Sequence, residues 1–101
     1  MQMTSIVALV ALLSGSASGR THHISIHDMM FDPSTVTVRK GDVIEFTNTD
    51  TVDHTATSKE KAFDTGSLER GKSKRVVVSK RGTFPYSCRF HITMSGTVIV
   101  R

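Results

Sequence analysis

Short segments of alternating or β-branched character, separated by turn-forming residues, constrain the fold of this chain most strongly. The segments are 22–27, 35–39, 43–48, 74–79, 84–88 and 96–100, with a strand stub at 63–68. Glycine-containing turn signals follow two of them, at Lys40-Gly41-Asp42 and Arg81-Gly82-Thr83. No segment carries a sustained helical period. Strands of this length and spacing predict an all-β, antiparallel sandwich or barrel.

The only cysteine stands in a segment rich in soft or borderline metal donors. Cys88, His91 and Met94 follow one another with C-x2-H-x2-M spacing, and His54 lies upstream as a candidate second imidazole. A thiolate, two imidazoles and a weak axial thioether form a ligand set that suits copper. Taken singly, each residue has a simpler interpretation, such as core packing for Cys88 or Met94. Together they predict one copper ion held by these four side chains, in a site closed by tertiary folding.

The amino-terminal segment is typical of an export signal. Its apolar run, 6–13, is too short to span a bilayer as a helix and suits the central region of a signal peptide. Small residues follow at 14–19, so we predict cleavage after Gly19, with cleavage after Ala17 as the alternative. No Lys or Arg precedes the run, and a buried N-terminal strand or helix is the other interpretation. We predict a signal peptide at 1–19 and one domain at 20–101, periplasmic or secreted, with no membrane span in the mature form.

The charge of the predicted domain favours some partners and argues against others. The 13 Lys and Arg exceed the 9 Asp and Glu, which gives a formal net charge of +4. A positive balance favours partners with acidic surfaces. The chain has no tryptophan and one tyrosine, so it lacks the aromatic-interleaved basic stripe that indicates nucleic-acid binding. A basic cluster, Arg70, Lys72, Lys74, Arg75, Lys80 and Arg81, is a solvated hairpin face unless several members share one side.

Several segments, taken together and in order, resemble the cupredoxins, and among them the amicyanin- and plastocyanin-like group. These are Phe31-Asp32-Pro33 with 35–42, then 46–48 with 53–55, then 63–66, then 82–88 with His91 and 94–98. The two residues between His91 and Met94 resemble the short loop of amicyanin, whereas plastocyanin has a longer one. The likeness runs over nearly the whole predicted domain.

The resemblance implies a Greek-key β-sandwich with a type 1 copper site in loops at one end. It implies a monomer that carries single electrons between redox proteins. It also implies that the Thr55 N–H points at the Cys88 sulfur and that the Asn48 side chain ties the two ligand loops together. In this family the loop histidine brings its ring edge to the surface. We therefore expect His91, rimmed by Phe90 and Ile92, to be the electron port.

Two features depart from the family pattern. Proline commonly flanks the second histidine, and here its neighbours are Phe90 and Ile92. Without proline the loop is freer and gains a backbone donor. Arg89 directly follows the cysteine, and a cation beside a thiolate favours its ionised form.

Other functions were weighed for the same residues. Four ligands leave no open position for a substrate, so we expect no enzymatic activity. A copper chaperone or scavenger using the same ligands is the alternative function. A thiol hydrolase built on Cys88 and His91 is a further one, but nothing in the sequence supplies an obvious oxyanion-binding donor.

Two other places in the sequence carry possible metal donors. Cleavage after Gly19 would expose Arg20-Thr21-His22, whose amine, two amides and imidazole can form a square-planar site for Cu(II) or Ni(II). The simpler interpretation is that His22 begins a strand. Met29 and Met30 are candidates for a second, soft copper site, although the resemblance places them in the core.

Overall fold

The computed structural model describes residues 19–101, which form eight β-strands and no helix. The strands are β1 (Thr21–His27), β2 (Met30–Asp32), β3 (Thr35–Val38), β4 (Val43–Asn48), β5 (Thr57–Ser58), β6 (Ser73–Val77), β7 (Gly82–Ser87) and β8 (Ser95–Val100). The predicted signal peptide lies, apart from Gly19, outside the described residues and stays a prediction. Within the described range, no helix has the length and apolar character needed to cross a membrane.

The strands form two four-stranded sheets, which confirms the predicted all-β sandwich. One sheet has the order β2-β1-β4-β6 and the other the order β3-β8-β7-β5. The expectation of a wholly antiparallel arrangement is wrong at two pairs, because β1 and β4 run parallel, as do β3 and β8. Parallel neighbours need a long connection. After β1 the chain forms β2 in the same sheet, crosses to the other sheet as β3, and returns to the first sheet as β4. This path supplies the connection between the parallel strands β1 and β4.

Two short segments differ from the sequence prediction. The sequence predicts no strand between 27 and 35, but β2 lies there and pairs with β1 through a two-residue turn at Asp28 and Met29. The predicted strand stub at 63–68 makes only isolated bridges, between Thr57 and Asp64 and between His54 and Leu68. The second of these bridges holds His54 in place, so the segment supports the site without being a strand.

Four aromatic rings form the centre of the core between the sheets. The Tyr86 ring lies with its centroid 4.7 Å from that of Phe31 and 5.6 Å from those of Phe46 and Phe63. These edge-to-face contacts are the arrangement that aromatic rings prefer. A Cβ atom at Gly96, on the neighbouring strand β8, would overlap the Tyr86 ring. Because Tyr86 stands two residues before Cys88, this packing fixes the end of β7 from which the cysteine projects.

Candidate metal centre

Three of the four predicted ligands bring their donor atoms together. The Sγ atom of Cys88 lies 3.8 Å from Nδ1 of His54 and 3.7 Å from Nδ1 of His91. All three donor atoms lie within 4.8 Å of one another. Cys88 and His54 are fully buried, and His91 is half-buried. In residues 19–101, no other group of three His, Cys, Asp or Glu side chains has this spacing.

These separations fit one metal ion placed between the three donors. Bonds from a metal such as zinc to thiolate sulfur and imidazole nitrogen are about 2.3 Å and about 2.0–2.1 Å long. With bonds of that length, separations of 3.7 and 3.8 Å correspond to angles of about 120° at the metal. A trigonal plane of one thiolate and two imidazoles, with a thioether nearby, is a copper arrangement. The donor set therefore fits one copper ion.

The ligand loop, residues 88–94, is closed by its own backbone hydrogen bonds. The Cys88 N–H donates to the Met94 carbonyl at 3.3 Å, and the Met94 N–H donates to the His91 carbonyl at 2.9 Å. The His91 N–H donates to the Cys88 carbonyl at 3.3 Å. Met94 is buried. The fourth predicted ligand therefore lies inside the protein, on the same short loop as Cys88 and His91.

His54 is held by its backbone and by its ring. Its N–H and carbonyl exchange hydrogen bonds with Leu68, at 3.1 and 2.7 Å. Its Nε2 atom lies 2.8 Å from Oδ2 of Asp50. An Nε2–H that donates to this carboxylate leaves Nδ1, the atom facing Cys88, free to bind a metal.

Asp50 is a site residue that the sequence analysis missed. Burial by itself would raise the pKa of its carboxyl, but hydrogen bonds from the Met29 N–H, the His54 ring and the Asp28 N–H outweigh burial and lower the pKa. The group is therefore held as a carboxylate behind His54. Its position four residues before His54 was the available signal, although Asp53 stands closer in sequence.

Thr55 joins the two ligand segments. Its N–H donates to the Cys88 sulfur at 3.3 Å, as the resemblance implied. Its hydroxyl oxygen accepts the Arg89 N–H at 3.0 Å and lies 3.0 Å from the Thr57 hydroxyl, which in turn donates to Asp64 at 3.0 Å. A donor aimed at the sulfur stabilises the thiolate form.

The Asn48 side chain has a different role from the one expected. Its amide group donates to the carbonyls of Val52 and Leu68, at 2.9 and 2.7 Å, and its oxygen accepts the Asp50 N–H at 2.9 Å. Asn48 thus shapes the segment that carries His54, and Thr55 makes the tie to the ligand loop. The difference arises because Asn48 ends β4 and faces the chain that immediately follows it.

The neighbours of His91 form an exposed apolar rim. Phe90 is 53 % exposed and Ile92 is 79 % exposed. Arg89 is also exposed, and its guanidinium lies 4.0 Å from an Asp64 carboxylate oxygen. A solvated cation facing a carboxylate has little influence on the buried sulfur.

The other candidate donors lie apart from this centre. His22 is in β1, where its Nε2 atom lies 2.9 Å from the Asp42 carboxylate, and the Arg20 N–H donates to the same carboxylate at 3.0 Å. A square-planar site at the predicted new terminus would have to replace these contacts, and it stays a prediction. The resemblance implied that Met29 and Met30 lie in the core, and this expectation is wrong. Both side chains are exposed, at 42 % and 55 %.

Comparison with solved structures finds the same fold in known proteins. The cupredoxin from Nitrosopumilus maritimus described as a novel purple cupredoxin superposes with a TM-score of 0.73 and 23 % identity, over 79 % of this chain and 99 % of that one. Amicyanin from Paracoccus versutus superposes with a TM-score of 0.72 and 24 % identity, over 80 % of this chain and 81 % of that one. The copper-containing nitrite reductase from Thermus scotoductus superposes with a TM-score of 0.74 and 23 % identity, over 80 % of this chain but 22 % of that one. At these identities the likenesses show the fold.

Sequence comparison identifies the family. No curated protein sequence matches the chain significantly. The sequence model described as the cupredoxin-like domain matches residues 2–100. This match spans nearly the whole chain and agrees with both the fold and the donor set. The chain therefore belongs to the cupredoxin-like domain family.

Proposed function

We propose that this protein is an exported type 1 copper protein that carries single electrons between redox partner proteins. One observation supports the proposal most directly. A buried cysteine sulfur faces Nδ1 of both His54 and His91, at 3.8 and 3.7 Å, in a family of copper proteins. Cys88, His54 and His91 would hold the ion in a plane, and Met94 would be its weak axial ligand.

The chain's own residues prepare the site for electron transfer. When bound, copper supplies a couple between Cu(I) and Cu(II). The Thr55 N–H steadies the Cys88 thiolate, and Asp50 fixes the His54 tautomer and ring orientation. The pairing of β7 with β8, from Ser87 opposite Ser95 onwards, fixes both ends of the ligand loop. Donors held in this way move little when the charge of the site changes, which favours fast exchange.

His91 is the proposed electron port. It is the half-buried ligand, whereas the other three are buried. Phe90 and Ile92 beside it are exposed and apolar, so a partner can approach closely with little desolvation cost. Small contacts of this kind are typical of short-lived redox encounters.

The proposed partners present acidic docking surfaces. All six residues of the basic cluster are exposed, and four of them, Arg70, Lys72, Lys74 and Arg75, border or belong to β6 at the edge of one sheet. Arg75 is partly neutralised by Glu45 at 3.2 Å. Long-range attraction between these basic side chains and an acidic partner raises the association rate at low salt. Transfer would then take place between this protein, as a monomer, and larger redox proteins.

No catalytic role is proposed for the copper. The four proposed ligands leave no coordination position for a substrate, which a copper enzyme requires. The likeness to the nitrite reductase spans 22 % of that chain, so it does not extend the proposal to that activity.

The spectrum of the copper-loaded protein tests the function. We expect an intense blue colour on addition of Cu(II), no such colour with Cys88→Ser, and a retained blue band with a changed potential for Met94→Leu. Copper binding without a strong visible charge-transfer band would rule out a type 1 site. A blue protein that exchanges electrons poorly but passes its metal to a partner would point to a chaperone instead.

Export is tested separately. Mass spectrometry of the protein recovered from the periplasm or medium should give a mature chain beginning at Arg20 or, for the alternative cleavage, at Ser18. An uncleaved chain found only inside the cell would contradict it.

A further inference from the structure

All three methionines within residues 19–101 line one groove beside the metal centre. The groove has a volume of about 440 Å³ and lies between the β1–β2 turn and the ligand loop. Met29 and Met30 line it from the turn, and Thr93 and Met94 line it from the loop. The groove therefore connects two exposed thioethers to the buried thioether of a proposed copper ligand.

The exposure of Met29 and Met30 requires an explanation. Methionine is among the residues most often buried, and the resemblance placed this pair in the core. Phe31, which follows them, takes the core position instead, against Tyr86. The two thioethers are left in contact with solvent.

The backbone at Met29 strengthens this point. Asp28 and Met29 form the two-residue turn between β1 and β2, with φ of 53° and 59°. Positive φ at both positions is the geometry of a type I′ turn, whose second position strongly favours glycine. A side chain larger than that of asparagine or aspartate costs free energy there. Methionine at a position that suits glycine indicates that its side chain is used.

The turn is fixed relative to the metal centre by one carboxylate. Asp50 accepts the Asp28 N–H at 2.7 Å and the Met29 N–H at 3.0 Å. The same group lies 2.8 Å from Nε2 of His54. Asp28 and Asp32 are exposed on this hairpin, each within 3.3 Å of a ring nitrogen of His27, and Asp32 lines the groove. Two carboxylates against one imidazole leave the hairpin with a net negative charge, which attracts a cation to the mouth of the groove.

We propose that Met29 and Met30 form a capture site for Cu(I), from which the ion passes along the groove to Met94 and Cys88. Thioethers are soft ligands that select Cu(I). The delivery step rests on the proposed function, because it ends at the type 1 site. Bonds from copper to the two turn thioethers break as bonds to the Met94 thioether, the Cys88 thiolate and the two imidazoles form. The metal stays Cu(I) throughout, and the Cys88 thiol loses its proton to water.

Uptake kinetics test the delivery step. Metal-free protein is mixed with Cu(I) held in a weak acetonitrile complex, and loading is followed by rapid quenching with a strong Cu(I) chelator. The test variant is Met29→Gly with Met30→Leu, because glycine suits the turn and leucine keeps the apolar surface while removing the sulfur. We expect loading to slow by about tenfold or more, with the same blue absorbance after oxidation. Val52→Ala is the matched control at an exposed apolar position outside the groove, and it should load at the wild-type rate.

Methionine methyl resonances test the capture site itself. A second equivalent of Cu(I), added to protein already loaded with one, should shift the Met29 and Met30 methyl signals, and Zn(II) should not. Unshifted Met29 and Met30 signals, or wild-type loading in the double variant, would overturn the proposal.

The Cys88→Ser variant separates this proposal from the proposed function. In that variant the Met29 and Met30 signals should shift with the first equivalent of Cu(I), although no blue colour forms. A wild-type protein that never turns blue but shows these shifts would reject the type 1 site and support the capture site. Slow loading in a Met29→Ser, Met30→Ser variant but not in the glycine–leucine variant would show that the groove binds an apolar partner, and would overturn the capture site.

Discussion

The Asp50 carboxylate lies 2.8 Å from the Nε2 atom of His54, and it binds no other side chain in the described part of the chain. Its other hydrogen bonds come from the backbone N–H groups of Asp28 and Met29. A carboxylate behind a ligating imidazole fixes the tautomer and makes the ring a stronger donor. Asp50 thus acts on the metal through His54 without touching it.

Replacing Asp50 with asparagine should weaken copper binding and raise the reduction potential. The neutral amide makes His54 a poorer donor, and loss of a nearby negative charge disfavours Cu(II) more than Cu(I). We expect a loss in Cu(II) affinity of about 10–100-fold, measured by competition with a chelator, and a higher potential by voltammetry. Asp53→Asn makes the same charge change at an exposed neighbour and should leave both quantities nearly unchanged. Equal effects in the two variants would show that only overall charge matters.

Tyr86 should tolerate loss of its hydroxyl group but not an added methyl group opposite it. Its hydroxyl is buried without a hydrogen-bond partner among the described residues, and burial raises the pKa of the group. Tyr86→Phe removes an unsatisfied polar group, which should leave stability unchanged or raise it by about 1 kcal/mol. Gly96→Ala should destabilise the protein by about 1–3 kcal/mol, because its Cβ overlaps the Tyr86 ring itself.

Urea unfolding measures both changes, and the double variant provides the control. Tyr86→Phe should not rescue Gly96→Ala, since the ring atoms that collide with the new methyl group remain. Full rescue would mean that the hydroxyl alone causes the conflict.

Asp42 should make folding stability sensitive to acid. Hydrogen bonds from the Arg39 N–H, the His22 ring and the Arg20 N–H lower the pKa of its carboxyl to about 2. The unfolded chain therefore binds more protons than the folded one between about pH 4 and pH 2. The stabilising contribution is present above that window and is lost as the pH falls through it.

Asp42→Asn should consequently flatten the acid limb of the stability profile. Unfolding midpoints in urea, recorded at several values from about pH 2 to about pH 5, give the slope. Asp53→Asn serves again as control and should keep the wild-type slope. An unchanged slope in Asp42→Asn would assign the acid sensitivity to other carboxyl groups.

Ile92→Asp should slow electron exchange while leaving the blue band nearly intact. A charge in the apolar rim beside His91 hinders close approach of a partner, but Ile92 is not a proposed ligand. Self-exchange rates and rates with a protein partner are the measurements. Val77→Asp is the matched control for the self-exchange rate, because Val77 is also an exposed apolar residue but lies in β6, outside the rim formed by Phe90 and Ile92. Because β6 also carries part of the basic cluster, the rate with a protein partner is compared between Ile92→Asp and the wild type alone. Equal slowing in both variants would place the port elsewhere.

The sequence was sufficient to predict the fold class and the convergence of the donors. The alternating strands predicted β1, β3, β4, β6, β7 and β8 to within two residues at each end. The spacing of Cys88, His91 and Met94 placed three candidate ligands on one loop, and the segment around His54 supplied the fourth. The alternation of apolar and polar residues and the spacing of the ligands are both local patterns, so they can be recognised without knowledge of the tertiary contacts.

The supporting contacts could not be predicted in the same way. Asp50 and Asp53 both precede His54, and only the folded chain decides which one faces the ring. The parallel pairing of β1 with β4 depends on where β3 crosses to the other sheet, which no local pattern encodes. The turn at Asp28 and Met29 lacks the glycine that is typical of a type I′ hairpin, so no local signal predicts β2.

The backbone hydrogen bonds within the ligand loop determine which substitutions the protein can accept without a change in its fold. The three backbone bonds of residues 88–94 begin and end within the segment, and the strands on either side are fixed by their own register. Its two ends, Cys88 and Met94, pack in the core, and hydrogen bonds join Thr55 to Cys88 and Arg89, so the residues between the ends can be exchanged separately from the rest of the fold. Substitutions or exchanges within these residues can retune the potential and the contact surface while the two sheets, and with them the position of His54, remain as they are.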